Sequence, residues 1–96
     1  MRRGIYIYLA DKSNNAIREI TPAGVVTTFA GSVTGASGYT DASGTSALFN
    51  GPVGMAIDAS GNLFVTDYNN SVIRKITPAG AVSAFYSQSG MVPSGI

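Results

Sequence analysis

The 96-residue chain repeats itself over much of its length. Residues 11–24 return as residues 67–80, at a constant offset of 56 positions and without a gap. A shorter match relates residues 51–55 to residues 92–96, at an offset of 41. Self-similarity at a fixed period is typical of repeat folds, in which each repeat forms one small unit that packs against its neighbours.

The difference between the two offsets, about fifteen residues, lies in one segment. Residues 33–49 are rich in Gly, Ser, Thr and Ala, and we interpret them as a long polar loop inserted between two repeats. Because the entropic cost of closing a loop grows slowly with its length, we expect this loop to be dispensable for folding.

Each repeat is predicted to form four short strands. In the second repeat they cover residues 53–58, 63–67, 72–77 and 81–87, with turn residues between them. The turn from Thr77 to Gly80 has proline at its second position and glycine at its fourth, where we expect positive φ, and Pro22 and Gly24 repeat this pattern. Turn signals about every ten residues between β-branched and aromatic runs indicate an all-β meander.

The second repeat carries a family resemblance. Gly-Pro-Val-Gly-Met-Ala-Ile-Asp (51–58), Gly-Asn-Leu-Phe-Val-Thr-Asp (61–67), Ile-Arg-Lys-Ile (73–76) and Thr-Pro-Ala-Gly (77–80) closely resemble the NHL repeat. The resemblance implies blades of a β-propeller, usually six-bladed, each a four-stranded antiparallel sheet. Residues 4–32 are then a blade lacking its first strand, residues 52–87 a complete blade, and residues 91–96 the start of the next blade's first strand.

Two blades alone would leave two apolar faces in water, and about three repeats are needed before such an array is stable. We therefore expect the chain to complete six blades by oligomerisation, as a homotrimer rather than a homotetramer. The tail would then help to complete the blade begun by the next copy, and the ring seam is predicted at Met91, Val92, Pro93, Gly95 and Ile96. An excerpt of a longer propeller, or an engineered unit without activity of its own, stays open as an alternative.

The composition argues against several classes of function. Without histidine or cysteine, the chain has no Ser-His-Asp or Cys-His triad and no zinc site of the usual kind. Six Lys and Arg against five Asp and Glu give no electrostatic reason to expect nucleic acid or an anionic membrane. We find no signal peptide and no transmembrane segment, and the compartment stays undetermined. We expect no enzyme activity, no catalytic residue, no cofactor and no metal.

A calcium-dependent hydrolase is the alternative among enzymes. Propeller lactonases, which the architecture resembles, hold calcium through Asp, Asn and Glu, and six residues here offer such oxygens: Asp11, Asn14, Asp58, Asp67, Asn69 and Asn70. We interpret them instead as turn residues that bond local backbone groups. The residues assigned to the structure of the repeat are Asp11, Asn14, Pro22, Gly24, Asp67, Asn70, Pro78 and Gly80.

The leading hypothesis is a non-catalytic ring that binds a protein, peptide or glycan. Long loops carry function more often than scaffold strands do, which favours Tyr39 and Asp41 as contact residues. Tyr68 is a further candidate. Arg18 and Arg74 either bind a ligand carboxylate or phosphate, or pair with Asp11 and Asp67 of their own repeats.

Overall fold

The computed structural model describes residues 4–87, which form two antiparallel β-sheets. Sheet 1 has three strands in the order β1, β2, β3, and sheet 2 has four in the order β4, β5, β6, β7. The bounds are Ile7–Asp11 for β1, Ala16–Ile20 for β2, Val26–Gly31 for β3, Pro52–Ile57 for β4, Leu63–Asp67 for β5, Val72–Ile76 for β6 and Val82–Ser87 for β7. The predicted all-β class with antiparallel sheets is confirmed.

Short 3₁₀ turns complete the described part of the chain. They span Lys12–Asn14, Gly44–Ser46 and Tyr68–Asn70. No α-helix occurs among residues 4–87, and hence no helix there is long and apolar enough to cross a bilayer.

The sequence repeat is also a repeat of backbone geometry. The ladder between β2 and β3 shifts register after Ile17, and the ladder between β6 and β7 shifts after Ile73, 56 positions later. Asn15 and Ser71 both adopt positive φ, at 55° and 56°. The two Thr-Pro-Ala-Gly turns end at φ 85° for Gly24 and 92° for Gly80, which confirms the predicted need for positive φ there.

Matching aromatic pairs mark corresponding faces of the two sheets. The rings of Tyr8 and Phe29 lie 5.1 Å apart in sheet 1, and those of Phe64 and Phe85 lie 4.7 Å apart in sheet 2. Tyr8 and Phe29 pack against the core between the sheets, whereas Phe85 is exposed on the far side of sheet 2. The two sheets therefore stack in the same orientation, with the same face of each repeat pointing the same way.

The core lies between the sheets, where side chains that alternate along the strands meet. Its buried members are Ile17, Ala30, Ala47, Phe49, Leu63, Val65, Ile76 and Val82. Two of these eight, Ala47 and Phe49, come from neither sheet but from the segment that joins them.

The prediction that residues 33–49 are a dispensable polar loop is wrong for the second half of the segment. Ala47 and Phe49 have no exposed surface, and Ala42 packs against the same core. Val82 donates its backbone N–H to the carbonyl of Ala42, and Gly44 donates to the carbonyl of Gly80. Composition concealed this role, because the three apolar side chains that reach the core lie in a segment rich in Gly, Ser, Thr and Ala.

Candidate functional site

Arg74 occupies the centre of the face that sheet 2 turns toward the core. Its side chain and that of Asp67 are both fully buried, and Arg74 Nη1 donates to Asp67 Oδ2 over 2.7 Å. Asn70 Nδ2 donates to the same carboxylate oxygen over 2.8 Å. Strands β5 and β6 supply Asp67 and Arg74, and the 3₁₀ turn between them supplies Asn70. These three residues are called trio 2 below.

Trio 2 binds the segment that joins the two sheets. Arg74 donates from Nη1 to the carbonyl of Leu48 and from Nη2 to the carbonyl of Thr40, each over 2.9 Å. Asn70 donates to the carbonyl of Gly38, and Asp67 Oδ1 accepts the backbone N–H of Asn50. Three side chains thus hold the backbone of residues 38–50 at four points.

Side chains of the same segment complete the surroundings of Arg74. Asp41 Oδ1 accepts from Nη2 over 2.9 Å, so the guanidinium has two carboxylate partners. The rings of Tyr39 and Phe49 lie 4.8 Å and 4.7 Å from the guanidinium carbon, within the range of cation–π attraction. Burying an arginine is costly unless the charge is paired and hydrogen-bonded. Here Nε is the one buried side-chain polar atom without a partner in residues 4–87.

Asp11, Asn14 and Arg18 form the equivalent set in sheet 1, called trio 1 below. Asn14 Nδ2 and Arg18 Nε each donate to Asp11 Oδ2 over 3.0 Å, and Arg18 Nη1 also donates to the hydroxyl of Thr28. The hydrogen bond from Asn14, followed by that from Arg18, lowers the pKa of Asp11 below its ordinary value of 3.8. Among residues 4–87, the side chains of trio 1 hydrogen-bond outside the trio only to Thr28.

A cleft of about 290 Å³ opens between the two sheets beside β1. Its lining combines two tyrosines of the first repeat with apolar residues of the second: Tyr6, Tyr8, Met55, Ala56, Ile57 and Leu63. Tyr8 donates its hydroxyl to Glu19 Oε2 over 2.8 Å. In sheet 2, β4 pairs with β5, but no strand of residues 4–87 pairs with the corresponding edge of β1. The cleft thus adjoins an edge of β1 with which no other described strand pairs.

All six candidate calcium ligands take part in hydrogen bonds among the described residues, and those of Asp67, Asn69 and Asn70 reach the joining segment as well as their own turn. Asp11, Asn14, Asp67 and Asn70 belong to the two trios, and Asn69 donates to Asn50 Oδ1 over 3.2 Å. Asp58 closes the β4–β5 turn by accepting hydrogen bonds from Asn62 and Ser60. These hydrogen bonds lower the pKa of Asp58, and the one from the Asn62 side chain has the largest effect. Within residues 4–87 no group of three or more His, Cys, Asp or Glu side chains is placed to hold a metal.

The remaining predicted residues are dispersed. Tyr68 is half-buried, with the ammonium of Lys12 5.9 Å from its ring centre. Pro22 and Pro78 are exposed in the Thr-Pro-Ala-Gly turns, as is Gly24, whereas Gly80 is buried beside Gly44. The proposed seam residues Met91, Val92, Pro93, Gly95 and Ile96 lie outside the described residues.

Sequence reasoning missed one residue that joins the two repeats. Asn15 Oδ1 accepts the backbone N–H of Gly51 over 2.9 Å, and Asn15 Nδ2 donates to the carbonyl of Gly35 over 3.0 Å. The second repeat has Ser71 at this position. The change from asparagine to serine between the two copies was the sequence signal that could have singled out Asn15. Asn15, directly before β2, thus contacts both ends of the joining segment.

Comparison with known proteins agrees with this architecture. The NHL repeat family model matches residues 49–76, which include β4, β5 and β6. Protein SUPPRESSOR OF QUENCHING 1, chloroplastic, of Arabidopsis thaliana is 44% identical over 71 residues, covering 73% of this chain and 6% of that protein. The chain therefore contains an NHL repeat, and its fold is consistent with an NHL-repeat β-propeller.

Two solved structures from Bacteroides thetaiotaomicron are similar in fold. A protein of unknown function superposes with a TM-score of 0.76 at 32% identity, covering 86% of this chain and 21% of the other. An auxiliary nutrient binding protein superposes with a TM-score of 0.77 at 20% identity, covering 94% of this chain and 29% of the other. The chain thus spans less than a third of the length of each of these relatives.

Proposed function

We propose that this chain is a non-catalytic binding and scaffold unit, two blades of a six-bladed propeller that three copies complete. The observation that carries the proposal is that each sheet exposes the face that its neighbour buries. The far face of each sheet is the face that points away from the other sheet, and the near face is the one that points toward it. The far face of sheet 1 carries the same repeat positions as the near face of sheet 2, and the far face of sheet 2 carries the same repeat positions as the near face of sheet 1.

Exposure supports this complementarity. Ile7, Leu9 and Val26 lie on the far face of sheet 1 and are 53%, 50% and 57% exposed. Their repeat partners on the near face of sheet 2 are Leu63, Val65 and Val82, which sheet 1 and the joining segment reduce to 3%, 0% and 5%. Apolar side chains of this size gain about 1.5–3 kcal/mol each on full burial, so the exposed set favours association.

The far face of sheet 2 offers the matching surface. Phe85 is 60% exposed there and packs edge-on against Phe64, as the tilted ring of Phe29 packs against Tyr8 inside the molecule. Since the two unsatisfied faces differ from each other, the contact between copies is head-to-tail, and a head-to-tail contact closes a ring when its rotation is right. Six blades at two per chain require three copies.

The edge of β1 that no other described strand pairs with would give the proposed ring a second point of contact. A strand added there would stand to β1 as β4 stands to β5. Residues 92–96, which repeat the sequence at the start of β4, are the proposed source, contributed by the neighbouring copy. The strand would close the cleft beside Tyr6 and Tyr8 from the open side.

The contacts of the candidate site support the proposed binding role. Polar groups of the candidate site hold a peptide segment rather than a reacting centre, and the acidic residues are engaged in turns and ion pairs. The auxiliary nutrient binding protein with a similar fold is a precedent for a binding role. We propose a protein, peptide or glycan as ligand, without a cofactor.

Two single-face variants test the head-to-tail contact. Leu9→Glu disables the far face of sheet 1, and Phe85→Glu disables the far face of sheet 2. Each variant alone should sediment as a monomer, because every contact needs one face of each kind. An equimolar mixture should form a heterodimer through the two intact faces.

Val33→Glu is the matched control, because Val33 is exposed and belongs to neither sheet, and this variant should assemble as the parent does. A Phe85→Glu protein that still associates with itself would overturn the proposal. So would a mixture of the two face variants that stays monomeric.

A further inference from the structure

Asn50 and Gly51 form the one Asn-Gly bond of the sequence, and they lie where the joining segment runs into β4. Asparagine is among the chemically labile residues of proteins, and it is most labile before glycine. The backbone nitrogen of the glycine can attack the carboxamide carbon of the asparagine, because glycine has no side chain to hinder the approach. The sequence thus places this chemistry at the junction between the two repeats.

The fold specifies both residues of this labile pair. Gly51 adopts φ 72°, and a Cβ on it would lie 2.7 Å from Asn69 Nδ2, so a larger residue is strained there. The same Nδ2 donates to Asn50 Oδ1 over 3.2 Å, so the carboxamide of Asn50 is part of the structure as well. Contacts with the 3₁₀ turn Tyr68–Asn70 therefore favour asparagine followed by glycine at this point.

Hydrogen bonds hold the groups that would react. Gly51 donates its N–H to Asn15 Oδ1 over 2.9 Å, which stabilises the protonated form of the attacking nitrogen. Asn50 donates its N–H to Asp67 Oδ1 over 2.8 Å, and its carbonyl accepts from the N–H of Asn69 over 3.0 Å. Attack requires the Gly51 nitrogen to lose its proton and to turn toward the carboxamide, so the bond to Asn15 must open first.

We propose that Asn50 is a site of spontaneous covalent modification, which the contact between the two repeats controls through Asn15. When this contact opens, hydroxide takes the proton of the Gly51 nitrogen, and the nitrogen attacks Asn50 Cγ. A new N–C bond closes a succinimide ring, and the carboxamide nitrogen takes a proton from water and leaves as ammonia. Water then opens the ring at either carbonyl carbon, which gives aspartate or isoaspartate. No electrons are transferred, and water is the co-reactant.

The two products differ in their effect on the fold. Aspartate keeps the backbone unchanged and offers Asn69 the same acceptor oxygen. Isoaspartate lengthens the main chain by a carbon atom and turns the carbonyl of residue 50 into a carboxylate. The hydrogen bond to Asp67 on one side and that to Asn15 on the other can then not both be kept. Modification to isoaspartate therefore weakens the contact that restrains it. This inference rests on neither the ring nor the binding role proposed above.

The test is incubation of the intact chain at mildly alkaline pH, with the conversion of each asparagine followed by peptide mapping and mass spectrometry. Asn50 should convert first, and at least about tenfold faster in denaturant than in the folded chain. Asn15→Ser should speed the conversion of Asn50 about tenfold, because it removes the acceptor of the Gly51 N–H. Serine suits this position, since Ser71 adopts φ 56° at the matching place in the second repeat.

Two control variants separate this role of Asn15 from a general effect on stability. Asn15→Asp keeps an oxygen for the Gly51 N–H and loses the donor to Gly35, so it should convert as slowly as the parent. Gly24→Ala lies at an exposed position with φ 85° and should destabilise the fold without contacting Asn50, whose conversion should stay slow.

Several results would overturn the proposal. One is an Asn15→Ser protein that converts at the rate of the parent. Another is equal acceleration by Asn15→Ser and Gly24→Ala, because global unfolding would then set the rate. Acceleration by Asn15→Asp as large as that by Asn15→Ser would assign the protection to the bond with Gly35 instead. Absence of conversion at Asn50 in denaturant would refute the modification itself.

Discussion

Arg18 and Arg74 occupy the same position of two repeated sheets, yet Arg74 is fully buried and Arg18 keeps 22% of its side chain exposed. The difference comes from the joining segment, which covers Arg74 with two carbonyls, a carboxylate and two aromatic rings. The same residue type in the same frame is thus a structural anchor in one blade and an accessible cation in the other.

The two arginines should differ in their effect on stability. Arg74→Met leaves Asp67 buried without its cationic partner, and we expect a loss of about 3–5 kcal/mol in the free energy of unfolding. Arg18→Met removes a partly exposed pair and should cost about 1 kcal/mol or less. Urea unfolding at one fixed chain concentration measures both, since assembly also contributes to stability. Equal losses for the two variants would contradict the structural difference between the sites.

The joining segment should stabilise the fold through the burial of Phe49 and not through its length. Phe49→Ala should destabilise the fold by about 3–5 kcal/mol, because it empties a fully buried site between the sheets. Val33→Ala, at an exposed position of the same segment, should change stability by less than about 0.5 kcal/mol. Thermal unfolding of both variants checks this. Equal stability of the Phe49→Ala and Val33→Ala proteins would show that the segment does not contribute to the core.

The repeat made much of the fold predictable from sequence. The β-branched and aromatic runs and the turn residues between them placed the strands, and Thr77-Pro78-Ala79-Gly80 placed a turn whose glycine has the expected positive φ. The NHL resemblance found from these residues is matched by the family model over residues 49–76. These features are local, so each repeat specifies them independently of the rest of the chain.

The candidate site was less predictable, because its contacts join residues far apart in sequence. The pairing of Arg74 with Asp67 follows from the repeat frame, but its contact with Asp41 lies 33 residues away and crosses a segment with no counterpart in the other repeat. The burial of Phe49 has the same origin. Tertiary packing determines both the Arg74–Asp41 contact and the burial of Phe49. A segment rich in Gly, Ser and Thr has little hydrophobic periodicity from which either could be predicted.

Acid should weaken the fold through Asp11. Because Asn14 and Arg18 lower the pKa of Asp11 in the folded chain, this carboxylate stabilises the fold above its ordinary pKa of 3.8. The contribution is lost as the pH falls through the lowered folded value. We therefore expect an Asp11→Asn protein to show a flatter fall in stability below about pH 4 than the parent.

Asp58 supplies the comparison for this measurement, since its pKa is also lowered, by the Asn62 side chain above all. An Asp58→Asn protein should flatten the same part of the curve through a turn that has no role in trio 1. Denaturant unfolding at a series of pH values measures each curve. A parent and an Asp11→Asn protein with parallel curves throughout the acid range would refute the assignment.

Assembly is the central claim, and the mass of the chain in solution tests it most directly. Multi-angle light scattering should give about three times the 9.8 kDa of one chain, the mass of a closed six-bladed ring. A chain lacking residues 91–96 should assemble more weakly, because each seam would lose its added strand. A folded, monodisperse species of 9.8 kDa would contradict the account, and an aggregate without defined mass would instead favour two blades taken from a longer propeller.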